Sequence, residues 1–182
     1  MIKGRSITLR APKDRDLDFL YSIRNNQKLQ MTLMALPRPN SKRNVREWIS
    51  RRTDDPQGLF FIIATARSDR PIGFIQLTHI EFVHGFGHLG ICVDERHQGR
   101  GRGAEALRLF ENYASSIFRI RKFLVQILAT NSQSIRFHAS QNYRHVGVLY
   151  DHYFQNEAFQ HAYIMEKQLA RTPHAKSRKK KS

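Results

Sequence analysis

The residues best suited to chemistry lie in the run 94–109, which reads DERHQGRGRGAEALRL. This run places glycines at 99, 101 and 103, directly before a segment whose apolar residues recur at helical spacing. The residues before it, 89–93, are predicted to form a short strand. A strand, a glycine loop and a helix in this order let backbone N–H groups and the positive end of the helix surround a phosphate. The sequence therefore predicts an anion-binding loop.

Two common phosphate loops do not fit this spacing. A P-loop ends in Gly-Lys-Ser/Thr, whereas Gly103 is followed by Ala104 and Glu105, so the lysine and the hydroxyl for magnesium are both missing. A dinucleotide-binding loop follows its strand almost at once and leads to an acidic residue about 20 positions later. Here the polar stretch 94–100 separates strand and loop, and the next predicted strand, 123–128, leads to no acid. Nucleotide triphosphatases and Rossmann enzymes are therefore disfavoured.

A third phosphate loop does fit. The hexapeptide QGRGRG at 98–103 matches Q/R-x-x-G-x-G/A, the acetyl-CoA pyrophosphate loop of the GNAT N-acetyltransferases. A second run, NSQSI at 131–135, is followed by a short predicted helix and by QNY at 141–143, and it is similar to that family's N-x-x-A-I and closing aromatic. The sequence thus resembles the GNAT superfamily, and within it the RimJ/RimL branch. The resemblance implies acetyl-CoA as co-substrate, no metal, and acetyl transfer to an amine.

The resemblance also implies which residues hold the cofactor. In the family, the strand before the loop splays from its neighbour, and its main chain holds the pantetheine and the thioester oxygen. The loop amides then hold the pyrophosphate, with arginines adding charge. The expected cofactor-binding residues are Ile91, Cys92, Val93, Gln98, Gly99, Arg100, Gly101, Arg102, Gly103, Ala104 and Asn131.

Two catalytic roles fall on histidines. Many family members use a tyrosine on the helix after N-x-x-A as the proton donor to the thiolate, and that position aligns with His138. Tyr143 is the fallback donor, although it aligns better with the aromatic that closes the motif. Cys92 invites an acyl-cysteine route, but a mid-strand thiol is more often buried and inert. We therefore expect direct transfer.

The expected general base is His88, which stands where related enzymes often carry glutamate. An imidazole with a pKa near 6.5 can collect the ammonium proton directly or through water. His79, Glu81 and His84 remain alternatives for this role.

Composition bears on the acceptor. The 182-residue chain has a formal net charge of +16, of which residues 171–182 contribute six bases and no acid. This charge disfavours a cationic polyamine and suits a partner that carries or adjoins a polyanion. Our leading expectation is a protein or peptide amine, as in ribosomal-protein N-terminal acetylation. A nucleotide-linked amino sugar or other small-molecule amine is the alternative, and a non-catalytic acetyl-CoA- or RNA-binding module is the alternative of another class.

The rest of the composition predicts a cytoplasmic protein, monomeric or homodimeric, without signal peptide or membrane span. The single cysteine excludes an internal disulfide, and the scattered histidines do not have zinc spacing. We expect one domain over 1–170 and a basic, disordered tail over 171–182.

Periodicity predicts an α/β fold with one mixed sheet of about seven mostly antiparallel strands, flanked by about four helices, with a parallel pair at its centre. A helix capped by Asp14 should follow the first strand, and 27–39 should be a loop with at most one helical turn. In the family, acceptor specificity lies in this loop and in the last hairpin. The helix after the glycine loop should bury Ala106, Leu107, Phe110, Ala114, Ile117 and Phe118.

Overall fold

The computed structural model describes residues 1–169, so the tail predicted over 171–182 lies outside the described residues. One eight-stranded mixed sheet organises the chain. Its strands are β1 (Ile2–Lys3), β2 (Ile7–Arg10), β3 (Leu59–Thr65), β4 (Pro71–Glu81), β5 (Phe86–Val93), β6 (Lys122–Leu128), β7 (Arg144–Gln155) and β8 (Ala158–Gln168). Five α-helices accompany them: α1 (Leu17–Asn25), α2 (Gln27–Thr32), α3 (Lys42–Thr53), α4 (Arg102–Phe118) and α5 (Ser132–Ser140).

The sheet has the spatial order β1-β2-β3-β4-β5-β6-β8-β7. Every neighbouring pair is antiparallel except β5 and β6. These two strands are parallel because α4 carries the chain over the sheet between them, as a crossover connection requires. The predicted mixed sheet with a parallel central pair is confirmed, with one short strand and one short helix more than expected.

The parallel pair is joined over a short length only. β5 and β6 pair from Phe86↔Lys122 to His88↔Leu124, and no pairing follows beyond His88. β6 meanwhile pairs with β8 along its whole length, from Lys122 to Leu128. The second half of β5 therefore diverges from β6 and leaves a wedge-shaped cleft in the middle of the sheet.

Apolar side chains fill both faces of the sheet. On one face α4 packs through Ala106, Leu107, Phe110 and Ala114, as its periodicity predicts. Ile117 is an exception: it is 63% exposed, because it lies in the last turn beyond the edge of the core. On the other face α1 and α3 cover a second cluster, which contains Leu20, Val45, Ile62, Phe74 and Cys92.

The start of α1 differs from the sequence prediction. A single 3-10 turn, Asp14–Asp16, precedes the helix, and Asp16 rather than Asp14 makes the local hydrogen bond, accepting from the Lys13 amide at 2.8 Å. Asp16 is fully buried because the guanidinium of Arg10 pairs with both of its oxygens, at 2.6 and 2.9 Å. A carboxylate satisfied in this way can be buried, whereas Asp14 stays exposed.

The sequence predicts 27–39 as a loop that contains one helical turn, and the structure shows its first six residues as the helix α2. The side chain of Asn26 accepts from the Leu29 amide at 3.0 Å and caps this helix. Gln30 is buried because its amide donates to the Ile23 carbonyl and accepts from Arg24, at 2.9 and 2.6 Å. Buried hydrogen bonds thus stabilise this helix, which lacks the apolar stripe from which periodicity predicts a helix.

Candidate active site

The main chain of β5 supplies free hydrogen-bonding groups to the cleft. The Asp94 amide donates to the Ile72 carbonyl on β4 at 2.8 Å, and the β4–β5 register is regular from Val93 back to His88. Because peptide directions alternate along a strand, the amides of Val93, Ile91 and Leu89 point away from β4. The Leu89 amide closes the last parallel pair, His88↔Leu124, by donating to the Leu124 carbonyl. The amides of Ile91 and Val93 lie beyond that pair and face the cleft, where the described residues provide no partner strand.

The glycine loop leads from this strand into α4. Gly99 and Gly101 have φ angles of 70° and 72°, a left-handed conformation that strains any residue with a Cβ. Apart from the adjoining residues, no atom of residues 1–169 lies within 4 Å of the position that a Cβ would occupy at either glycine. Gly101 is the N-cap of α4, so the amides of the first helical turn, from Arg102 to Ala104, lack intrahelical acceptors. The loop therefore presents amides and open space to an anion.

The arginines around the loop differ in their contacts. Arg96 pairs with Asp94 through two contacts of 3.0 and 2.7 Å, and Arg102 donates to Nδ1 of His97 at 2.6 Å. Arg100 is exposed and has no hydrogen bond or ion pair to the residues that the structure describes. Of the three, Arg100 is the cation whose guanidinium is uncommitted.

Two glutamines connect the strand, the loop and α5. The amide of Gln98 donates to the Val93 carbonyl at 2.7 Å, and Gln133 donates to the Gln98 side-chain oxygen at 2.8 Å. Asn131 caps α5 by accepting from the Ser134 amide at 3.0 Å. Gln98 and Asn131 were predicted as site residues from their motifs, whereas Gln133 lies within the second motif and nothing in its type distinguishes it. Together these side chains form a polar bridge across the open end of the cleft.

A cavity of about 910 Å³ lies in the cleft. It brings together most of the predicted site: His88, His138, Ile91, Cys92, Val93, Gln98, Gly99, Gly101, Gly103, Ala104 and Asn131 line it. Tyr143, Arg100 and Arg102 do not. Within residues 1–169 no aspartate, glutamate, lysine or arginine lines this cavity. Its titratable lining groups are His79, His88, Cys92 and His138, so a base or acid must be one of these or water.

His88 and His79 meet at the α2 side of the cavity. Their ring centroids are 5.8 Å apart in an edge-to-face arrangement. Partial burial, and secondarily the charge of His79, lower the pKa of His88 below its usual value. His88 is therefore unprotonated at neutral pH, as a general base must be. The alternatives Glu81 and His84 lie outside the cavity lining.

His138 is buried, with 2% of its surface exposed. Its Nδ1 lies 2.9 Å from the Ser134 carbonyl, which can only accept, so Nδ1 carries the ring proton and Nε2 carries the lone pair. Nε2 has no hydrogen-bond partner among residues 1–169. Burial lowers the pKa of His138, opposed by the hydrogen bond to Ser134, so the ring is neutral at pH 7. A neutral His138 can accept a proton at Nε2 and must do so before it can donate one there.

Tyr143, the fallback donor, lies behind His138. Its hydroxyl donates to Glu111 of α4 at 3.2 Å, and Lys167 pairs with the same carboxylate at 2.7 Å. Burial and the Glu111 charge raise the pKa of Tyr143 above its usual value. Its ring packs edge-to-face on His138 at a centroid distance of 5.2 Å. These contacts place Tyr143 in the core beside the cavity.

Cys92 belongs to the buried cluster under α1 and α3. Burial, and secondarily the charge of Asp94, raise the pKa of its thiol to about 12. A thiol with this pKa is protonated at neutral pH and is a poor nucleophile. The geometry therefore favours direct transfer over an acyl-cysteine route.

Comparison with known proteins agrees with this geometry of a main-chain cleft, a glycine loop and an adjoining helix N-terminus. Residues 6–143 match the model of the acetyltransferase (GNAT) domain. The chain belongs to the GNAT acetyltransferase family. It is therefore an N-acetyltransferase that uses acetyl-CoA.

Two characterised enzymes are similar to this GNAT chain over most of their length. Spermidine N(1)-acetyltransferase of Vibrio cholerae is 22% identical over 154 residues, which cover 85% of this chain and 88% of that enzyme. Ribosomal-protein-serine acetyltransferase of Escherichia coli is 26% identical over 160 residues, 86% and 89% of the two chains. The two relatives differ in acceptor, so the comparison identifies the reaction and not the amine.

Solved structures agree on the fold. The crystal structure of spermidine N-acetyltransferase from Vibrio cholerae in complex with CoA and spermine superposes with a TM-score of 0.83 at 21% identity, covering 90% of this chain and 96% of that one. A structure of the Vibrio cholerae enzyme described as dodecameric has a TM-score of 0.75 at 21% identity and covers 90% and 94% of the two chains.

Within the described residues, 1–169, no helix is long and apolar enough to cross a membrane. No group of three or more His, Cys, Asp or Glu side chains in that part of the chain could hold a metal ion.

Proposed function

We propose that this enzyme acetylates the primary amine at the N-terminus of a protein or peptide. The observation that carries the proposal is the chemistry of the acceptor side of the cavity. Leu29, Thr32, Leu33 and Met34 of α2 and the following loop line this side, and no carboxylate does so among residues 1–169. Such a surface suits one amine attached to an uncharged chain.

Room for that chain exists beside the cavity. A second recess of about 780 Å³, the hairpin recess, lies between α2 and the β7–β8 turn and extends to Gln155 and Asn156. The residues that it shares with the cavity are Leu29, Thr32, Gln98, Asn131 and Gln133. Gln155 donates to the Met31 carbonyl at 2.7 Å and holds the turn against α2. An extended peptide advances about 3.3 Å per residue, so the recess would take the residues that follow the reacting amine.

A small-molecule amine is the second candidate, because the Vibrio cholerae relative is named for spermidine. A nucleotide-linked amino sugar is the form that suits the basic surface. A polyamine suits this cavity poorly: its several ammonium groups would lose water without carboxylates to replace it, at a cost of several kcal/mol for each buried charge. Among residues 1–169, Glu95 is the one carboxylate that lines the hairpin recess.

In the proposed mechanism the amine attacks the thioester carbon while His88 takes the proton that the nitrogen loses. The β5 amides that face the cleft stabilise the oxyanion, and one such donor is typically worth about 3 kcal/mol. The thiolate leaves and is protonated from water or by His138 after Nε2 has gained a proton. His138→Ala should then lower kcat far more than the affinity for acetyl-CoA, and an unchanged kcat would remove His138 from the mechanism.

The test has two stages. Acetyl-CoA is titrated calorimetrically into the wild type and into the Gly101→Glu and Gly103→Glu variants, and binding should be lost in both. An amine screen with thiol detection then compares peptides with free N-termini, a nucleotide-linked amino sugar and spermidine. We expect the kcat/KM for the peptides to be at least about tenfold higher than that for spermidine, since buried unpaired charge costs more than 1.4 kcal/mol. Preference for spermidine would overturn the proposed acceptor, and the absence of thiol release with every amine tested would favour a non-catalytic role.

The oligomeric state is a separate expectation. We propose a monomer or homodimer. Light scattering of the full chain measures the mass in solution, and a mass of more than two chains would contradict this proposal.

A further inference from the structure

His79 lies in an irregular part of β4. The strand pairs regularly with β5 as far as Thr78↔His88, and pairing resumes only at Glu81↔Phe86. Two residues of β4, His79 and Ile80, therefore stand opposite Gly87 alone, which is a β-bulge. His79 has a φ of 50°, in the left-handed region. For a residue with a side chain this conformation costs about 1 kcal/mol, so the sheet holds His79 in a position that the sequence alone does not favour.

The bulge changes the direction of the His79 side chain. In a regular strand His79 and Thr78 would point to opposite faces of the sheet. Here both line the cavity, together with His88, while Ile80 is buried in the core. His79 is exposed and His88 is half-buried. The pair therefore runs from the reacting centre to solvent.

Hydrogen bonds determine which nitrogen of His79 can accept a proton. The Thr78 hydroxyl donates to the His88 carbonyl over 3.4 Å, and it lies 3.2 Å from Nδ1 of His79. Since its proton is directed to the carbonyl, the hydroxyl oxygen accepts from Nδ1–H. Neutral His79 therefore keeps a lone pair on Nε2.

Few other charges face this pair. The segment of α2 and its following loop that lines the cavity is uncharged, and β6 contributes only Val125, Gln126 and Ile127 there. Glu81 on β4 is exposed outside the cavity, and His84 stacks on Phe86 beyond the turn. His138 lies on α5, on the other side of the cavity. Within residues 1–169, the titratable group packed against His88 is His79.

We propose that His79 accepts the acceptor amine's proton from His88 and releases it to solvent. This inference rests on the proposed function, in which His88 is the base. As the amine forms its bond to carbon, an N–H bond of the nitrogen breaks and an N–H bond forms on His88. That proton then moves to Nε2 of His79, directly or through one water, and from there to bulk water or buffer. His88 returns to its neutral form, and no further reactant is required.

The experiment measures kcat and kcat/KM against pH for the wild type, His79→Gln, His88→Gln and the control His84→Gln, using the best amine from the screen. His88→Gln should lose about 100-fold in kcat/KM above the acid limb of the wild type, and less below it, where the wild-type His88 is itself protonated and cannot act as the base. His79→Gln should lower kcat in a dilute buffer whose components accept protons poorly. Added imidazole should restore kcat, because it can accept the proton from His88 in place of the missing side chain. The acid limb of His79→Gln should also move to higher pH, because the charge that His79 carries when protonated lowers the pKa of His88 and is absent from this variant.

A second pair of variants separates proton transfer from local structure. Thr78→Ser keeps the hydroxyl that orients His79, and Thr78→Val removes it, so only the valine variant should become imidazole-dependent. His84→Gln should match the wild type throughout, and calorimetry with acetyl-CoA checks that each variant is folded. If imidazole does not restore His79→Gln and its pH profile matches the wild type, the relay is wrong. If wild type transfers acetyl to no amine, the proposed function itself is wrong.

Discussion

At the scale of single residues, His138 has the most unusual environment. Its ring is buried and neutral; Nδ1 donates to a carbonyl, and Nε2 has no partner in the part of the chain that the structure describes. The resemblance located this position from sequence, because the residue is counted from Asn131. Its burial and its tautomer could not be predicted, since both depend on Ser134 one helical turn earlier and on the Tyr143 ring.

Burial of a neutral histidine makes stability depend on pH. The pKa of His138 is lowered in the folded state, so between that value and about 6.5 the unfolded chain binds more protons than the native one. Stability should therefore fall as pH decreases below about 6.5. Urea denaturation at pH 7.5 and 5.5 should show a smaller loss for His138→Gln than for the wild type. Equal losses would mean that His138 titrates normally.

At the scale of elements, the strongest sequence signals were the amphipathic helix α4 and the strands around the glycine loop. The structure confirms them because each buries a regular apolar pattern. The full extent of α2 could not be predicted, because its stability depends on a cap at Asn26 and on the buried amide of Gln30. Sequence spacing favours Asp14 over Asp16 as the cap, because spacing does not show which carboxylate reaches Arg10.

The junction of β2 and α1 gives a stability prediction. Asp16→Asn would leave the buried Arg10 guanidinium without its bidentate carboxylate, which should cost about 3 kcal/mol in the free energy of unfolding. The matched control is Asp18→Asn, whose exposed partner is Lys42 and which should cost less than about 1 kcal/mol. Urea denaturation measures both. A similar small loss in the two variants would show that Asp69 alone can satisfy Arg10.

At the scale of the whole molecule, the fold was predictable because two motifs lie at family spacing on the right elements. The acceptor was not, because it depends on how α2 and the β7–β8 turn approach each other across the chain. The net charge of +16 is likewise a property of the whole sequence, and it exceeds what one molecule of coenzyme A can neutralise.

The charge of the C-terminal residues should appear in salt dependence. Changing Lys176, Lys179, Lys180 and Lys181 to glutamine removes four positive charges from the sequence. If these residues contact single-stranded RNA, the slope of log K against log salt should decrease in magnitude by up to about 3 units. Fluorescence anisotropy of a labelled oligonucleotide at several salt concentrations measures it. An unchanged slope would confine RNA contacts to residues 1–170, while acetyl-CoA affinity should stay the same in either case.

Three residue pairs join the two halves of the sheet within residues 1–169, and beyond them the amides of Ile91 and Val93 face the cleft. In deuterated water these two amides should therefore exchange quickly, although they belong to a central strand whose other amides, bonded to β4, should be among the slowest. Saturation with coenzyme A should slow the two and leave the edge strand β7 unaffected. The middle of this sheet would then report cofactor occupancy directly, without any acceptor amine present.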